Sequence, residues 1–386
     1  MKNFAFSLPT KVYFGQGQIT HLTELSAFGT KVLMVYGGGS IKRNGIYDRA
    51  MDLLVGAGLT VEELGGVEPN PRVTTVNRGA QICKDKGVDM VLAIGGGSTI
   101  DSAKAIAAGA KYDGDAWDLV LDNSKCTSAL PVFDVLTLAA TGSETNGGSV
   151  ISNLDVPAKL ALKSPCLYPQ ISILDPTYTF TVSRRQTAAG SADMMSHTFE
   201  NYFSLEPGAD LQRRFGEGLL KTIIDNAPVA LEHPDDYEAR ANLMWTASHA
   251  ISGIAGAGLA PGWACHPMEH ELSAYYDVTH GEGLAVLTPV WMEHVLSDQT
   301  APYLATYGRN VWGVTTGDDM AAAKEAIAHT RDFLFGTLGI PSTLRGVGVP
   351  DGSNFEAMAA SAEKRTLVSF VPLDKDAVVS IYQDAL

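Results

Sequence analysis

The sequence predicts a chain in two parts, an α/β half with a parallel sheet followed by an all-helical half. Between residues 31 and 176, short β-branched runs alternate with amphipathic stretches, a pattern typical of β-α-β units in a doubly wound parallel sheet. After about residue 182 the strand pattern gives way to long helical periodicities. We therefore predict an α/β domain over residues 1–182 and an all-α domain over residues 183–386.

The spacing of the apolar residues predicts the bounds of the individual strands and helices. The predicted strands are Lys11–Phe14, Lys31–Tyr36, Val61–Val67, Val88–Ile94, Val132–Leu138 and Ile171–Leu174. The predicted helices are Gly45–Gly56, Val73–Lys86 and Ile100–Gly109 in the first half, then Arg185–Phe203, Leu211–Ala230 and Tyr237–Gly256 in the second. The partner of the opening strand is left open.

Length and charge limit the classes of protein to which the chain can belong. A chain of 386 residues is long enough for two domains, since single cores stop growing at about 250–300 residues. The net charge of −15 repels nucleic acid and anionic membrane surfaces, so we expect neither as a partner. The start lacks the apolar segment of a signal peptide, and the four cysteines form no C-x-x-C pair, which favours a cytoplasmic protein with reduced thiols.

Three consecutive glycines, Gly95, Gly96 and Gly97, follow an apolar strand and precede a helix. Glycine lets the backbone approach an anion, and a helix N-terminus offers free N–H groups and a positive dipole end. The sequence therefore predicts a phosphate site here. Ser98 and Asp101 also fit an S-x-x-D capping box, so a tight, capped turn without a ligand is the alternative. The turn is not the G-x-G-x-x-G dinucleotide motif.

A second glycine turn, residues 37–39, follows the predicted strand Lys31–Tyr36 and leads into Ser40, Lys42 and Arg43. Enzymes that prefer NAD place an acidic residue where it can hold the ribose 2′-hydroxyl, and NADP enzymes avoid that charge. This turn has two cations and no acid, which favours NADP. A solvated basic loop is the alternative interpretation.

A third group of polar residues follows the strand at 132–138. Thr137 and the run from Ala140 to Gly148, which includes Thr141 and Asn146, expose hydroxyl, amide and backbone N–H groups. Ligands of open α/β sheets bind at the carboxyl ends of the strands, so we predict that this segment contributes to the same site. A loop of ordinary turn residues is the alternative.

An acid and four histidines have the spacing of metal ligands. Asp193 and His197 are four residues apart, as are His266 and His270, and His280 follows ten residues later. An i, i+4 spacing on a helix places both side chains on one face. Imidazole nitrogen with one carboxylate suits zinc or iron. Five candidates exceed a four-ligand shell by one, and the spacing alone does not choose among them.

These motifs resemble those of a known family. GGGSTID at 95–101, TGSE at 141–144, the pair at 193 and 197, and the histidine segment 263–283 are similar to the iron-containing (group III) alcohol dehydrogenases. Within that family they resemble the branch of NADPH-dependent aldehyde reductases and butanol dehydrogenases. The resemblance spans nearly the whole chain. It implies a dehydroquinate synthase-like two-domain fold, with a parallel Rossmann-like sheet in the first domain, and a homodimer.

The resemblance also implies roles for individual residues. It assigns Asp193, His197, His266 and His280 as ligands of one divalent metal, Fe²⁺ or Zn²⁺, and leaves His270 as a catalytic candidate near nicotinamide or substrate. Lys159 corresponds to a lysine near the adenosine ribose, with Lys163 as a competitor. The complete candidate cofactor site is Gly37, Gly38, Gly39, Ser40, Gly95, Gly96, Gly97, Ser98, Asp101, Thr137, Thr141, Asn146 and Lys159.

The predicted activity is hydride transfer between NADP(H) and short- to medium-chain aldehydes or primary alcohols. A glycerol-type polyol dehydrogenase using NAD is the nearest alternative. A lyase of the dehydroquinate synthase type requires basic residues around the metal, whereas segment 263–283 contains no Lys or Arg and carries Trp263, Met268, Leu272, Tyr275 and Tyr276. A nucleotide-binding protein without catalysis leaves the metal-type residues unexplained.

Overall fold

A parallel sheet forms the centre of the first half of the chain in the computed structural model, which describes residues 1–260 and 262–386. Its strands lie in the order β1-β8-β5-β4-β2-β3, and each neighbouring pair is parallel. The strands are β1 Lys11–Phe14, β2 Lys31–Tyr36, β3 Thr60–Leu64, β4 Met90–Gly95, β5 Val132–Leu136 and β8 Ile171–Leu174. The predicted parallel sheet is confirmed, and the opening strand pairs with β8.

Both faces of this sheet are buried. Leu33 and Val35 of β2 pack into one apolar core, with residues of the helices after β3 and β4. Val32 and Met34 point the other way, into a second core that contains Leu54. Successive side chains of a strand alternate between faces, so continuous apolar strands are stable only where both faces are covered.

The remaining elements of this half are helices and one hairpin. The α-helices are α1 Ser40–Arg43, α2 Ile46–Gly56, α3 Val73–Lys86, α4 Gly97–Gly109 and α5 Ala116–Leu121. Short 3₁₀ segments occupy Gln18–Ala27, Asn123–Lys125, Ser143–Thr145, Pro165–Leu167 and Pro176–Thr179. The antiparallel hairpin consists of β6 Gly148–Asn153 and β7 Ala158–Lys163.

Several boundaries differ from the sequence prediction. Helix α4 begins at Gly97 rather than at residue 100, because its first turn is built from the glycine turn itself. The hairpin β6–β7 and helix α5 were not predicted. Each is short, and the hairpin carries polar residues such as Asn153 and Lys163 at its ends, so neither shows a clear apolar period.

The second half of the chain is helical. Its helices are α6 Arg184–Tyr202, α7 Asp210–Glu232, α8 Tyr237–Ile251, α9 Cys265–Tyr276, α10 His280–Val295, α11 Ala301–Tyr307, α12 Asp319–Arg331, α13 Phe355–Thr366 and α14 Lys375–Ala385. Two π-helical segments, Gly308–Trp312 and Asp332–Thr337, follow α11 and α12. Helix α8 ends earlier than the predicted residue 256, and Gly253 has a φ of 89°, a left-handed conformation that a helix cannot continue through.

The chain forms two compact units. One contains residues 7–182 together with 234–248, and the other contains residues 1–6, 183–233 and 249–386. A single division near residue 182 therefore does not describe the units in full, because most of α8 groups with the sheet. Within the described residues, no helix has the length and hydrophobicity that crossing a bilayer requires.

Candidate active site

Helix α6 supplies two of the candidate metal ligands. Asp193 and His197 lie on the same face of this helix, and their exposed fractions are only 2% and 3%. A carboxylate and an imidazole buried this deeply are costly unless each is paired or holds a metal. The i, i+4 spacing predicted from the sequence thus places both groups at one interior point.

Helices α9 and α10 supply the histidines of the second group. His266 and His270 lie on α9, and His280 is the first residue of α10. A Cβ atom on Gly281 would lie 1.9 Å from the carbonyl oxygen of Ala189, which is on α6. The absence of a side chain at Gly281 therefore lets the start of α10 lie directly against α6, one turn before Asp193.

Three imidazole nitrogens converge on one carboxylate oxygen. Asp193 Oδ1 lies 3.5 Å from His197 Nε2, 3.6 Å from His266 Nε2 and 3.6 Å from His280 Nε2. These separations are too long for strong hydrogen bonds, whose N···O distance is typically about 2.9 Å. Asp193, His266 and His280 offer ligand atoms that all lie within 4.8 Å of one another, and His197 Nε2 adds a further nitrogen beside the same carboxylate oxygen.

The separations fit a metal ion. Ligand atoms at about 2.0–2.1 Å from a tetrahedral Zn²⁺ stand about 3.3–3.4 Å from each other, close to the three distances to Asp193. Within the described part of the chain, Asp193 Oδ1 and His266 Nε2 have no hydrogen-bond partner. Buried polar atoms without a partner are rare in proteins. Asp193, His266 and His280 therefore have the chemistry and the spacing of a site for one divalent metal, and His197 lies next to their carboxylate.

Two carboxylates bond to the Nδ1 atoms of His266 and His280, on the side of each ring away from Asp193. Glu200 accepts a hydrogen bond from His266 Nδ1, and Glu269 accepts one from His280 Nδ1. Glu200 is itself held by the backbone N–H groups of Ala264, at 2.7 Å, and of His266, at 3.1 Å. A proton fixed on Nδ1 leaves the Nε2 lone pair directed at the metal position.

Neither carboxylate was predicted as part of the site. Glu200 lies three residues after His197, and Glu269 directly precedes His270. Both are almost completely buried, at 1% and 0% exposed. Because each acts on a histidine of another helix or turn, no spacing in the sequence could reveal the pairing.

The charges of the site perturb its pKa values. Burial raises the pKa of Asp193, but the nearby His197 and His280 outweigh it and hold that pKa well below its usual range. Burial lowers the pKa of His197 to about 3. For His266, burial lowers the pKa but Glu200 and Asp193 outweigh it, and the net result is a pKa raised to about 9. In the metal-free protein, His266 is therefore charged near neutral pH and His197 is neutral.

His270 lies beside this group of ligands. Its ring centroid is 6.2 Å from that of His266 and 5.6 Å from that of His280. It is partly exposed, whereas His266 is buried. His270, His280 and Glu269 also have ligand-type atoms within 4.8 Å of one another. The position suits a group that exchanges protons next to a metal.

In segment 263–283, Trp263 contacts the rings of His197 and His266. The Trp263 ring packs edge-on against His266, with the centroids 4.8 Å apart, and 5.9 Å from His197. Met268 and Leu272 are fully buried in the helical unit. The hydroxyl of Tyr276 accepts a hydrogen bond from Asn354. Trp263 thus forms a wall of the metal site.

In the sheet unit, the glycine turn leads directly into α4. Among the described residues, no side chain caps this helix, whose N-cap is Gly96. The predicted capping box is wrong: the Ser98 hydroxyl donates to the carbonyl oxygen of Pro69, and Asp101 bonds elsewhere. These side chains find tertiary partners and leave the N-terminal amides of α4 without a side-chain acceptor. An uncapped helix N-terminus of this kind suits a phosphate group.

Thr141 lies against this turn. A Cβ on Gly97 would be 2.2 Å from Thr141 Oγ1, and one on Gly95 would be 2.4 Å from Thr99 Oγ1. Only glycine at 97 therefore lets the Thr141 hydroxyl approach the start of α4. Thr137 is held nearby through its backbone N–H, which donates to the carbonyl of Gly95 over 2.9 Å. The structure brings both predicted threonines to the glycine turn.

A buried lysine holds the loop that carries Thr141 and Asn146. Lys104 is fully buried, and its Nζ donates to the backbone oxygens of Ser143 at 2.6 Å, Asn146 at 2.8 Å and Gly148 at 2.8 Å. Burial lowers its pKa to about 8. The sequence showed nothing of this role, because Lys104 looks like an ordinary residue of an amphipathic helix.

Asp101 and Asn146, two predicted cofactor residues, take part in the hydrogen bonds of the loop that Lys104 holds. The Asp101 carboxylate accepts hydrogen bonds from Ser143 Oγ at 2.5 Å and from the N–H of Val150 at 2.8 Å. Asn146 Oδ1 accepts from Gly148 N at 2.7 Å and from Lys104 Nζ at 3.3 Å. Both side chains are engaged in shaping the loop, so we interpret them as supports of the site.

The two candidate lysines of the hairpin differ in environment. Lys159 is 4% exposed, and its positive charge acts on the partly buried Asp101. Lys163 is exposed at the end of β7, where its backbone N–H donates to Asn123. Lys159 therefore lies close enough to Asp101 of α4 for their charges to interact, and Lys163 lies on the surface.

A carboxylate also lies near the second glycine turn, although the turn itself has none. Glu63 on β3 accepts hydrogen bonds from the hydroxyls of Tyr36 at 2.9 Å and Tyr47 at 2.8 Å, and its Oε2 is 3.7 Å from Lys42 Nζ. Ideal Cβ atoms on Gly38 and Gly39 meet nothing within 4 Å. One of the two predicted cations is thus paired, and the glycines border open space.

Both halves of the chain match models of one protein family. The family model described as iron-containing alcohol dehydrogenase matches residues 9–176, and the model of the C-terminal region of the Fe-containing alcohol dehydrogenase family matches residues 187–386. The chain is 53% identical to NADH-dependent butanol dehydrogenase A of Clostridium acetobutylicum, over 99% of both chains. It is 40% identical to the NADPH-dependent aldehyde reductase YqhD of Escherichia coli, over 94% of both.

A solved structure has the same fold. The crystal structure of NADH-dependent butanol dehydrogenase A from Thermotoga maritima matches with a TM-score of 0.94 and 38% identity, and the match covers 100% of this chain and 99% of that one. Both halves of the chain are therefore matched by one family, in sequence and in structure. This chain belongs to the iron-containing alcohol dehydrogenase family.

Proposed function

We propose that this protein is a metal-dependent alcohol dehydrogenase or aldehyde reductase that transfers hydride between NADP(H) and short- to medium-chain aldehydes or primary alcohols. The observation that carries the proposal is the convergence of His197, His266 and His280 on Asp193 Oδ1, at 3.5–3.6 Å. A divalent metal held there would polarise a carbonyl oxygen, and reduced nicotinamide would supply hydride to its carbon.

The protein's own residues prepare this chemistry. Asp193 is the one anionic donor of the proposed set. Glu200 and Glu269 keep the Nδ1 protons of His266 and His280 in place, so that the Nε2 lone pair of each ring is available to the metal. Trp263 covers the rings of His197 and His266 on one side, which reduces the access of water there. The low local polarity strengthens electrostatic stabilisation of the oxygen on which charge develops.

His270 is proposed to move the proton that the alkoxide product needs. It is partly exposed, and its ring centroid lies 5.6 Å from that of His280, so it can exchange protons with solvent while standing beside the site. General acid catalysis of this kind contributes about 10²–10⁴-fold to a rate. His270→Ala should keep the bound metal and slow turnover.

The choice of NADP(H) is supported by the second glycine turn. Gly38 and Gly39 border open space, the turn has no acid, and Lys42 and Arg43 follow it. In this proposal, Lys42 leaves Glu63 to meet the 2′-phosphate of the cofactor. Its 3.7 Å contact with Glu63 is long, and the Lys42 side chain is 47% exposed, so the exchange costs little.

The decisive experiment measures metal content and NADPH oxidation with butanal, on protein reconstituted separately with Fe²⁺ and Zn²⁺. Asp193→Ala and His266→Ala should lose both metal and activity. His233→Ala, at an exposed histidine in a loop, is the matched control and should change neither. Full activity in metal-free variants would exclude the proposed mechanism, and loss of metal from His270→Ala would mean that the ligand set is misassigned.

Cofactor and substrate are tested in the same assay. NADPH should give the higher kcat/KM, and Lys42→Ala should lower kcat/KM for NADPH by about 10–100-fold, the usual worth of a hydrogen bond to a charged group, with little change for NADH. A preference for NADH would reject the cofactor choice and leave hydride transfer standing. Activity with glycerol and NAD above that with butanal would indicate a polyol dehydrogenase, and turnover without net NADPH consumption would indicate a lyase.

Two further expectations complete the proposal. We propose that the protein is a homodimer, as the resemblance to the family implies, and that it is located in the cytoplasm. Light scattering coupled to size exclusion gives the mass of the particle, to be compared with 40.9 kDa for one chain. Cell fractionation tests the location.

A further inference from the structure

Two of the four cysteines lie side by side in the sheet unit. Cys126 follows the 3₁₀ segment Asn123–Lys125, and Cys166 lies in the segment Pro165–Leu167. Their Sγ atoms are 3.7 Å apart, although the residues are 40 positions apart in the chain. A disulfide has an S–S distance of about 2.05 Å, so the two atoms need to approach by less than 2 Å.

The segments that carry the two thiols are already fixed to each other. Ser164 Oγ donates to the carbonyl oxygen of Cys126 over 2.9 Å, and Asn123 accepts from the backbone N–H of Lys163 over 2.9 Å. Rotation of the cysteine side chains can therefore close the gap without unfolding either segment.

The two thiols share their neighbours. Cys166 Sγ lies 3.1 Å from Ser164 Oγ and 3.8 Å from the carbonyl oxygen of Cys126, which also accepts from the Ser164 hydroxyl. The two sulfurs face each other across 3.7 Å, so a thiolate on Cys126 already lies next to Cys166 Sγ.

We propose that Cys126 and Cys166 form a reversible intrachain disulfide, with glutathione disulfide or a similar small disulfide as the oxidant. Cys166 is partly exposed while Cys126 is buried, so the thiolate of Cys166 attacks the oxidant first. One glutathione leaves as a thiolate, and a mixed disulfide remains on Cys166. Cys126 then loses its proton and attacks Cys166 Sγ, which releases the second glutathione.

The reaction is balanced. Two protein thiols are oxidised to one disulfide, one glutathione disulfide is reduced to two glutathione molecules, and the two protons pass to the leaving thiolates. Burial raises the pKa of Cys126 to about 11, and only the thiolate is the nucleophile. The second step should therefore accelerate as the pH rises from 7 to 9.

The bond would link the region after α5 to the end of hairpin β6–β7, the hairpin that carries Lys159. The remaining cysteines, Cys83 and Cys265, are buried, and burial raises the pKa of Cys83 to about 12 and that of Cys265 well above its usual value. Neither should react under conditions that oxidise the pair. The proposal does not depend on the enzymatic activity.

The test incubates the metal-loaded protein in glutathione buffers of graded oxidation state and measures intact mass, free thiols and tryptic peptides. Wild type should lose about 2 Da and two of its four thiols, with a dithiothreitol-sensitive link between the peptides of Cys126 and Cys166. Cys126→Ser should instead keep glutathione on Cys166, a gain of about 305 Da. Cys83→Ser is the matched control and should behave as wild type.

Other outcomes would overturn the proposal. It fails if wild type keeps four thiols in buffers that oxidise an exposed dithiol peptide, or if the recovered link joins other cysteines or two chains. It also fails if Cys83→Ser prevents the link. Because the wild-type peptide map is decisive by itself, poor folding of a variant would not leave the question open. The oxidised protein should also unfold at a higher temperature than the reduced protein, since the bond restricts the unfolded chain.

Discussion

A Cβ atom on Gly281 would lie 1.9 Å from the carbonyl oxygen of Ala189, so α10 begins in direct contact with the backbone of α6. His280 precedes this glycine and Asp193 lies one turn after this alanine. Arg185 and Glu282 strengthen the same junction through two hydrogen bonds, of 2.5 and 2.7 Å. The contact fixes the distance between ligands that come from different helices.

We therefore predict that Gly281→Ala weakens metal binding. The methyl group cannot fit against backbone, so α10 must shift, and His280 shifts with it. Overpacking of this kind costs about 1–3 kcal/mol of the free energy of unfolding. Urea denaturation and metal stoichiometry measure the two effects. Gly218→Ala, at an exposed helical glycine with nothing within 4 Å, should be neutral or stabilising; an equal loss in both variants would contradict the explanation.

Glu269→Gln should lower metal affinity by about 10–100-fold, as is usual for partners of ligating histidines. The amide keeps the size of the carboxylate but removes the charge that fixes the proton on His280 Nδ1. The matched control is Glu271→Gln, on the same helix and equally buried, because Glu271 pairs with Arg365 and Ser361. Competition with a metallochromic chelator gives the affinities, and a similar loss in the control would point to general destabilisation.

We predict that metal binding releases protons. The pKa values of two histidines determine whether metal affinity rises or falls with pH. In metal-free protein the pKa of His266 is raised to about 9, whereas that of His197 is lowered to about 3. His266 is therefore protonated below pH 9 and must lose its proton to bind metal, while His197 is already neutral. Affinity should rise with pH up to about 9, and metal binding at pH 7 should release the proton of His266. Calorimetry in buffers of different ionisation enthalpy counts the protons; release of none would contradict the pairing of His266 with Glu200.

The sequence predicts those parts of this site whose interacting residues are close together along the chain. The spacing of Asp193 and His197 predicts their common face, because both lie on one helix. The equal spacing of His266 and His270 could not distinguish the two histidines, whereas in the structure Glu200, a residue of another helix, bonds to His266 Nδ1.

The fold followed from the sequence wherever an element carries a long apolar period. Strands β1, β2 and β8 were predicted at their observed bounds, and the predicted ends of β3, β4 and β5 lie within three residues of the observed ones. The failures are local rules that tertiary contacts overrode. Ser98 and Asp101 have the spacing of a capping box, but each finds a partner elsewhere. A rule based on spacing cannot weigh such competition.

Lys104 provides the last prediction, which separates the cofactor site from the metal site. Lys104→Met should raise the Kd for the nicotinamide cofactor while the metal stoichiometry stays unchanged. Without the ammonium group, the oxygens of Ser143, Asn146 and Gly148 lose their donor, and the loop that holds Thr141 against Gly97 is released. Removing one partner from a buried charged network costs about 3–5 kcal/mol, so the thermal midpoint should fall as well.

The matched control for this variant is Lys111→Met, just beyond α4, where the lysine is exposed. Cofactor affinity is measured by quenching of protein fluorescence and metal by elemental analysis of the same sample. A variant that loses metal together with cofactor affinity would indicate general unfolding. A variant that binds cofactor as tightly as wild type would mean that the loop keeps its conformation without Lys104, and that its five hydrogen bonds do not position the cofactor site.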